Sequence, residues 1–288
     1  MLDKDVLAVI SNDNFHFSKG QRLIAKYILE NYDKAAFMTA GKLGVTVGVS
    51  ESTVVRFAAE LGYDGYPGMR KALQEMIRNR LTSVQRIEVA KEFIDDANVL
   101  KAVLTADMEK LQKTIEEIDR GSFDAAVDAI LNAEHVYIVG MRSSAALANL
   151  MGYYLNLLRD NVHLLQDTAV SEVYEQILRI HKGDVFVAMS YPRYSTRTVK
   201  AMRFAKNSGA LTISLTDGET SPLVEISDIT LFARSDMVSF LDSLVAPLSL
   251  INALIVSIGL RSKEALSDTF KRLETVWQEN EVYEHSEN

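Results

Sequence analysis

The sequence predicts an all-α N-terminal helix-turn-helix domain followed by an α/β domain, a doubly wound, flavodoxin-like, five-stranded parallel sheet. Three observations carry this. Residues 1–77 place their apolar side chains at helical spacing. From about residue 122, five short apolar runs (136–139, 162–165, 185–189, 211–215 and 229–232) alternate with amphipathic segments, the pattern of buried parallel strands joined by crossover helices. The 288 residues are long enough for two cores.

Composition narrows the class. Apolar residues make up 48 % and charged residues 24 %, with four prolines, as in an ordered globular chain. The absence of cysteine excludes disulfides, thiol nucleophiles and cysteine-based zinc sites. The N-terminus alternates acids with apolar residues and shows no signal peptide, so a cytoplasmic location is expected. The longest apolar stretch, 240–260, is broken by Asp242, Ser243, Pro247, Ser249 and Asn252 and reads as a buried helix with no membrane partner. Net charge is −8, unevenly spread: residues 1–85 hold 11 Lys/Arg and 9 Asp/Glu, leaving 20 and 30 for the rest. A near-neutral head on an acidic body suits a DNA reader that uses a few placed contacts.

Taken in order, residues 18–31 form a capped helix with Leu23, Ile24, Tyr27 and Ile28 on its apolar positions. Residues 40–61, AGKLGVTVGVSESTVVRFAAEL, form the helix-turn-helix. Leu43 and Val47 face inward, Gly48 takes the turn and Val49 plugs the angle. Ser50 caps a second helix that buries Val54, Phe57, Ala58 and Leu61, and Gly62 stops it. Its outer face carries Ser52, Thr53 and Arg56, small hydroxyls and one long cation suited to a major groove. Lys42, Ser50, Ser52, Thr53 and Arg56 are therefore the expected contacts to double-stranded DNA. A plain helical hairpin would show the same turn and cap.

Residues 66–80 close the first domain with Met69, Leu73, Met76 and Ile77. Residues 81–98 are polar and weakly periodic, a linker. A long helix follows with Leu100, Val103, Leu104, Leu111, Ile115 and Ile118 on a heptad-like stripe, fit for the next domain or a second subunit. The expected organisation is 1–80, 81–121 as linker and connecting helix, and 122–288, ending in a helix pair over 238–281 and a frayed acidic tail.

Two strand-to-helix junctions in the second domain carry hydroxyls. The first runs VYIVG into Met141, Arg142, Ser143 and Ser144; the third runs VFVAMS into Tyr191, Pro192, Arg193, Tyr194, Ser195, Thr196 and Arg197. Adjacent strand ends would bring free N–H groups of two helix starts together with Ser143, Ser144, Ser190, Ser195 and Thr196, forming an anion pocket at the carboxyl edge of the sheet. Helix capping alone would also select these residue types.

The segments FSKGQRLIAKYILEN, GVSESTVVRFAAELGYDGYPGMRKAL, YIVGMRSSAALA, GDVFVAMSYPRYSTRT, FAKNSGALTISLTDGETSPL and SFLDSLVAPLSLINAL resemble the RpiR (MurR/RpiR) family of bacterial transcription regulators. The resemblance spans nearly the whole chain. It implies a helix-turn-helix joined to a sugar-isomerase (SIS) domain that senses phosphosugars, without a cofactor. Two departures stand out: the SIS pattern has glycine where this chain has Arg142, and its Ser-x-Ser-Gly-x-Thr loop reads Ser190-Tyr191-Pro192-Arg193-Tyr194-Ser195 here. This SYPRYS form resembles a subgroup of the family and reads as a change of ligand. Arg142 and Arg193 would add cationic donors for an effector with a carboxylate or second phosphate; alternatively one or both pair with acids such as Asp167 or Asp217.

Related SIS domains include aldose–ketose isomerases, which makes an isomerase with a regulatory head the alternative reading; a module that uses its helix-turn-helix to bind a protein is a third. Isomerisation needs a general base over the sugar. His135, His163 and His181 fall away from the carboxyl ends of strands, and Glu172 and Glu175 read as a solvated or ion-paired helix face. The five histidines look isolated, so neither a metal site nor a catalytic residue is expected. A homodimer or tetramer on a near-palindromic operator completes the expectation.

Overall fold

The computed structural model describes residues 6–11, 15, 17–77, 82, 84–87, 98–166, 170–235 and 241–283. The chain divides into two compact units: Met1–Leu104 with Met237–Asp242, and Thr105–Asp236 with Ser243–Asn288. The division falls inside a helix, between Leu104 and Thr105. Most of the expected linker, 81–98, lies outside the described residues, as do 236–240 and the last five residues of the tail.

The first unit contains α1 (Val6–Ile10), α2 (Lys19–Glu30), α3 (Tyr32–Ala35), α4 (Ala40–Val47), α5 (Glu51–Glu60) and α6 (Gly65–Ile77). Ser18 caps α2 through a reciprocal box with Gln21, satisfying two otherwise orphaned N–H groups. Ile24, Ile28, Leu43, Val54, Phe57, Met69 and Leu73 are fully buried and form its core. Ile24 and Ile28 are buried as expected, together with Ala25, whereas Leu23, also expected inside, is 45 % exposed. Tyr66 is buried, its hydroxyl donating to the Met38 carbonyl at 3.0 Å, and burial raises its pKa to about 12 against the opposing pull of Arg70. Arg86, 2 % exposed, donates to both carboxylate oxygens of Asp242 at 3.0 Å.

Next comes α7 (Val99–Glu117). Leu100, Leu104 and Ile115 of its expected stripe are exposed, Val103, Leu111 and Ile118 half-buried. The second unit continues with α8 (Arg120–Asn132), β1 (Val136–Gly140), α9 (Ser144–Leu158), β2 (Val162–Leu164), α10 (Val170–Gln176), β3 (Val185–Met189), α11 (Thr196–Asn207), β4 (Leu211–Thr216), β5 (Ile229–Phe232), α12 (Val245–Arg261) and α13 (Lys263–Glu279). All strand pairs are parallel, in the order β2-β1-β3-β4-β5.

Alternation along the strands builds a core on each face. Val136, Ile138, Val185, Val187, Met189, Ile213 and Leu215 pack with Ile130, Met151, Leu155, Ile251 and Leu254. Tyr137, Val139, Phe186 and Ala188 pack on the other face with Ile177, Met202 and Ala205. Each fully buried large aliphatic contributes about 1.5–3 kcal/mol, so both layers are needed. The run 162–165, expected as a buried strand, is an edge strand with a half-exposed ladder, since no described residue pairs with its outer side. Among the described residues no single helix is long and apolar enough to cross a membrane.

Candidate DNA and effector sites

In the first unit, Thr39 caps α4 by accepting from Lys42 N at 3.1 Å, and Gly48 ends it with φ 77°. Ser50 caps α5 by accepting from Thr53 N at 3.3 Å, and its Oγ also lies 2.9 Å from Ser52 Oγ and 2.8 Å from Thr53 Oγ1. The hydroxyls at the start of α5 thus form one network. Arg56 Nε donates to the Ser52 carbonyl at 3.3 Å, folding the guanidinium back over the same turn. Lys42, Ser50, Ser52 and Arg56 are exposed and Thr53 half-buried. The opposite face of α5 is sealed by Val54, Phe57 and Ala58, all fully buried. The exposed polar surface of this hairpin carries the cations Lys42 and Arg56.

In the second unit the ends of β1 and β3 are level, with Gly140 paired to Met189. The loops that follow are neighbours at the carboxyl edge. A side chain on Gly140 would put Cβ 2.3 Å from the Ser144 carbonyl oxygen, so this glycine lets α9 start directly over the strand. In the loop after β3, Ser195 N donates to Ser190 Oγ at 3.1 Å, and Ser195 Oγ accepts from Thr198 N at 3.4 Å, capping α11. Tyr191 lies in the core, and Tyr194 Oη donates to Asp217 Oδ1 at 2.9 Å. Burial, with Asp217 close by, pushes the Tyr191 phenol well above its ordinary range.

The expected site residues divide. Ser143 and Thr196 are exposed and Ser195 is half-buried, while Ser144 and Ser190 are 4 % and 3 % exposed. Ser190 supports the loop from beneath. The helix starts also offer fewer donors than the sequence suggests. Ser144, Ala145 and Ala146 N–H groups donate to the carbonyls of Met141, Arg142 and Ser143 at 3.2, 3.1 and 3.4 Å, because the chain enters α9 through tight turns. Arg142 and Arg193 are exposed, with φ 58° and 62°. A left-handed backbone costs a residue with a side chain about 1–2 kcal/mol.

Sequence reasoning missed the support behind these loops. Asp217 is fully buried at the end of β4; Thr216 Oγ1 lies 3.2 Å from its carboxylate, 2.8 Å from the Ser190 carbonyl and 2.7 Å from Ser221 Oγ. An acid directly after a strand was the available signal.

The expectation of isolated histidines is overturned at the amino end of the sheet, where parallel pairing aligns the segments that precede β1 and β3 with β2. His135 Nδ1 lies 3.1 Å from His163 Nε2, and Tyr137 stacks on His163. His181 Nδ1 lies 3.6 Å from the buried Asp184. Burial and His135 hold the His163 imidazole below its ordinary pKa, against the opposing pull of Asp184. A cavity of about 590 Å³ opens at this same end, beside Lys182, Asp184, Lys206 and Asp228, away from the serine loops.

Residues 4–80 match the helix-turn-helix domain of the rpiR family, and residues 129–257 match the SIS domain. The chain is 26 % identical over 262 residues to an uncharacterized HTH-type transcriptional regulator of Caldanaerobacter subterraneus, covering 88 % of this chain and 90 % of that one. It is similar to the sugar isomerase domain of an RpiR transcription factor from Sphaerobacter thermophilus, at 30 % identity and TM-score 0.59 over 62 % of this chain and 99 % of that one. The NanR protein of Vibrio vulnificus, complexed with ManNAc-6P, shares the fold at 24 % identity and TM-score 0.57, over 94 % and 99 % of the two chains.

Proposed function

The chain belongs to the RpiR family of helix-turn-helix transcriptional regulators, and on that premise we propose that its SIS domain binds a phosphosugar or related anionic sugar metabolite that modulates operator binding. In this reading residues 1–80 read DNA, 81–121 connect, and 122–288 bind the effector. Lys42, Ser50, Ser52, Thr53 and Arg56 contact the duplex, with α5 in the major groove and Lys42 on phosphate. Ser143, Ser195, Thr196, Arg142 and Arg193 receive the effector, with Ser144 and Ser190 holding the loops in shape.

The observation that carries the effector reading is the level pairing of β1 with β3, which sets two hydroxyl-bearing loops side by side at the carboxyl edge, one of them opening the capped helix α11. An anion gains there from N–H and hydroxyl donors with no metal needed. The protein acts as a homodimer or tetramer, so that two α5 helices meet half-sites one helical turn apart. A regulator needs differential binding and no turnover. By linkage, an effector that weakens DNA binding binds more weakly to the DNA-bound protein.

The test is a thermal-shift screen of the full chain against sugar phosphates and sugar acids, repeated on a Ser195→Ala, Thr196→Ala double variant. The bound compound is then titrated against duplexes selected from a random pool. A compound that stabilises the parent, spares the variant and alters DNA affinity supports the reading. Stabilisation of both proteins alike, or turnover of the compound, refutes it.

A further inference from the structure

At the amino end of the sheet, opposite the serine loops, the turns that lead into β1 and β3 bring three metal-ligating side chains together. One ligand atom each from Glu134, His181 and Asp184 lies within 4.8 Å of the other two. The backbone fixes this approach: Glu134 N donates to the Gly183 carbonyl at 2.9 Å, and Val185 N to the His135 carbonyl at 2.9 Å. Gly183 has φ 107°, and a Cβ there would stand 2.8 Å from Glu134 Oε1, so the absent side chain leaves room for that carboxylate.

Asp184 is the observation that points to a cation. Its side chain is 0 % exposed. Oδ2 accepts from His181 N at 2.9 Å and lies 3.6 Å from His181 Nδ1, while Oδ1 has no hydrogen-bond partner among the described residues. A buried carboxylate oxygen left in this way is costly, and a bound cation offsets the cost. Glu134 and His181 are exposed, so both side chains can turn onto a cation held at Asp184. His181 Nδ1 also lies 2.9 Å from the Lys182 carbonyl, and a proton donated there leaves Nε2 of the neutral ring as a ligand. Two carboxylates and one imidazole suit zinc and its first-row neighbours, whereas Mg2+ and Ca2+ favour oxygen alone.

We propose that Glu134, His181 and Asp184 bind a divalent first-row transition metal, zinc in the first instance, which ties the turn before β1 to the turn before β3. The site lies away from the effector loops and does not depend on the effector reading.

The experiment uses the full chain without an affinity tag, stripped by a chelator and titrated calorimetrically with Zn2+. Melting temperatures are read with Zn2+ and with Mg2+. The same measurements are made on Glu134→Gln and His181→Gln, on Asp184→Asn, and on His163→Gln, which breaks the neighbouring pair with His135. The parent is expected to bind one Zn2+ per chain and to melt at a higher temperature with Zn2+ but not with Mg2+. Affinity is expected to fall at least about tenfold in Glu134→Gln and in His181→Gln, and to hold in His163→Gln. Asp184→Asn should abolish the zinc stabilisation; the two exposed ligands decide the matter even if that variant does not fold. Absence of zinc binding by the parent overturns the proposal, and so does binding that survives both exposed exchanges, which is adventitious surface binding. Loss of binding in His163→Gln moves the metal to the histidine pair and overturns the assignment. Equal stabilisation by Mg2+ overturns the metal class.

Discussion

The phenol of Tyr194 donates to the buried carboxylate of Asp217 at 2.9 Å and thereby fastens the loop after β3 to the end of β4. The loop that carries Arg193, Ser195 and Thr196 is thus held from two sides, by Asp217 and by Ser190 beneath it. In the proposed effector reading this loop would be formed before a ligand arrives, which lowers the ordering cost of binding.

Tyr194→Phe removes a donor from a buried carboxylate while keeping the ring. Unfolding in urea should show a loss of about 1–3 kcal/mol. Effector-induced stabilisation should fall as well, since the loop loses one anchor. Wild-type stability together with an unchanged ligand shift would show that this bond supports nothing.

Two glycines of the helix-turn-helix should respond differently to alanine. At Gly44 a Cβ would stand 2.8 Å from the Val49 carbonyl oxygen and 3.3 Å from Glu51 N, both backbone atoms, so α4 and α5 must move apart. At Gly48 nothing lies within 4 Å and only the φ of 77° resists, a cost of about 1–2 kcal/mol. Gly44→Ala should therefore be the more destabilising and should abolish DNA binding. Chemical denaturation of both variants checks the ranking.

Arg56→Ala should weaken binding to a selected duplex and reduce the slope of log affinity against log salt by about 1 if Arg56 meets a phosphate. If it reads a base edge, the loss should instead be about 1–3 kcal/mol and fall on one position of the site. Arg56 lies outside the core of the first unit, so the melting temperature should hold. Unaltered DNA binding would remove Arg56 from the interface.

The histidine pair at the amino end of the sheet gives a pH dependence. His163 is held below its ordinary pKa by burial and by His135, so between the folded value and about 6.5 the unfolded chain binds the extra proton. That contribution to stability is intact above pH 6.5 and declines as pH falls through the window down to the folded value. The ring is largely exposed, which keeps the effect small. His163→Gln should flatten the melting temperature between pH 7 and pH 5 relative to the parent. Parallel pH profiles would contradict this.

Much of the fold was legible because it rests on local rules. Periodic apolar positions, Ser50 before the recognition helix, Gly48 at the turn and five spaced apolar runs each state a backbone preference within a few residues. The site was legible only as residue types at strand ends. That Ser190 lies inward and Thr196 outward depends on how the loop closes on Asp217, twenty-seven residues beyond Ser190 in sequence. An acid after β4 is visible in the sequence, but nothing local says that it takes the Tyr194 phenol.

By itself the sequence determined two domains, their order, the strand order's parallel class and the loops that bear hydroxyls and arginines, since periodicity and capping are short-range. The tertiary structure alone decided that Arg142 and Arg193 share a left-handed backbone, that His135 meets His163, and that Arg86 is buried against Asp242. Each of these depends on segments distant in the chain, whose approach is fixed by packing and strand register rather than by the residues themselves.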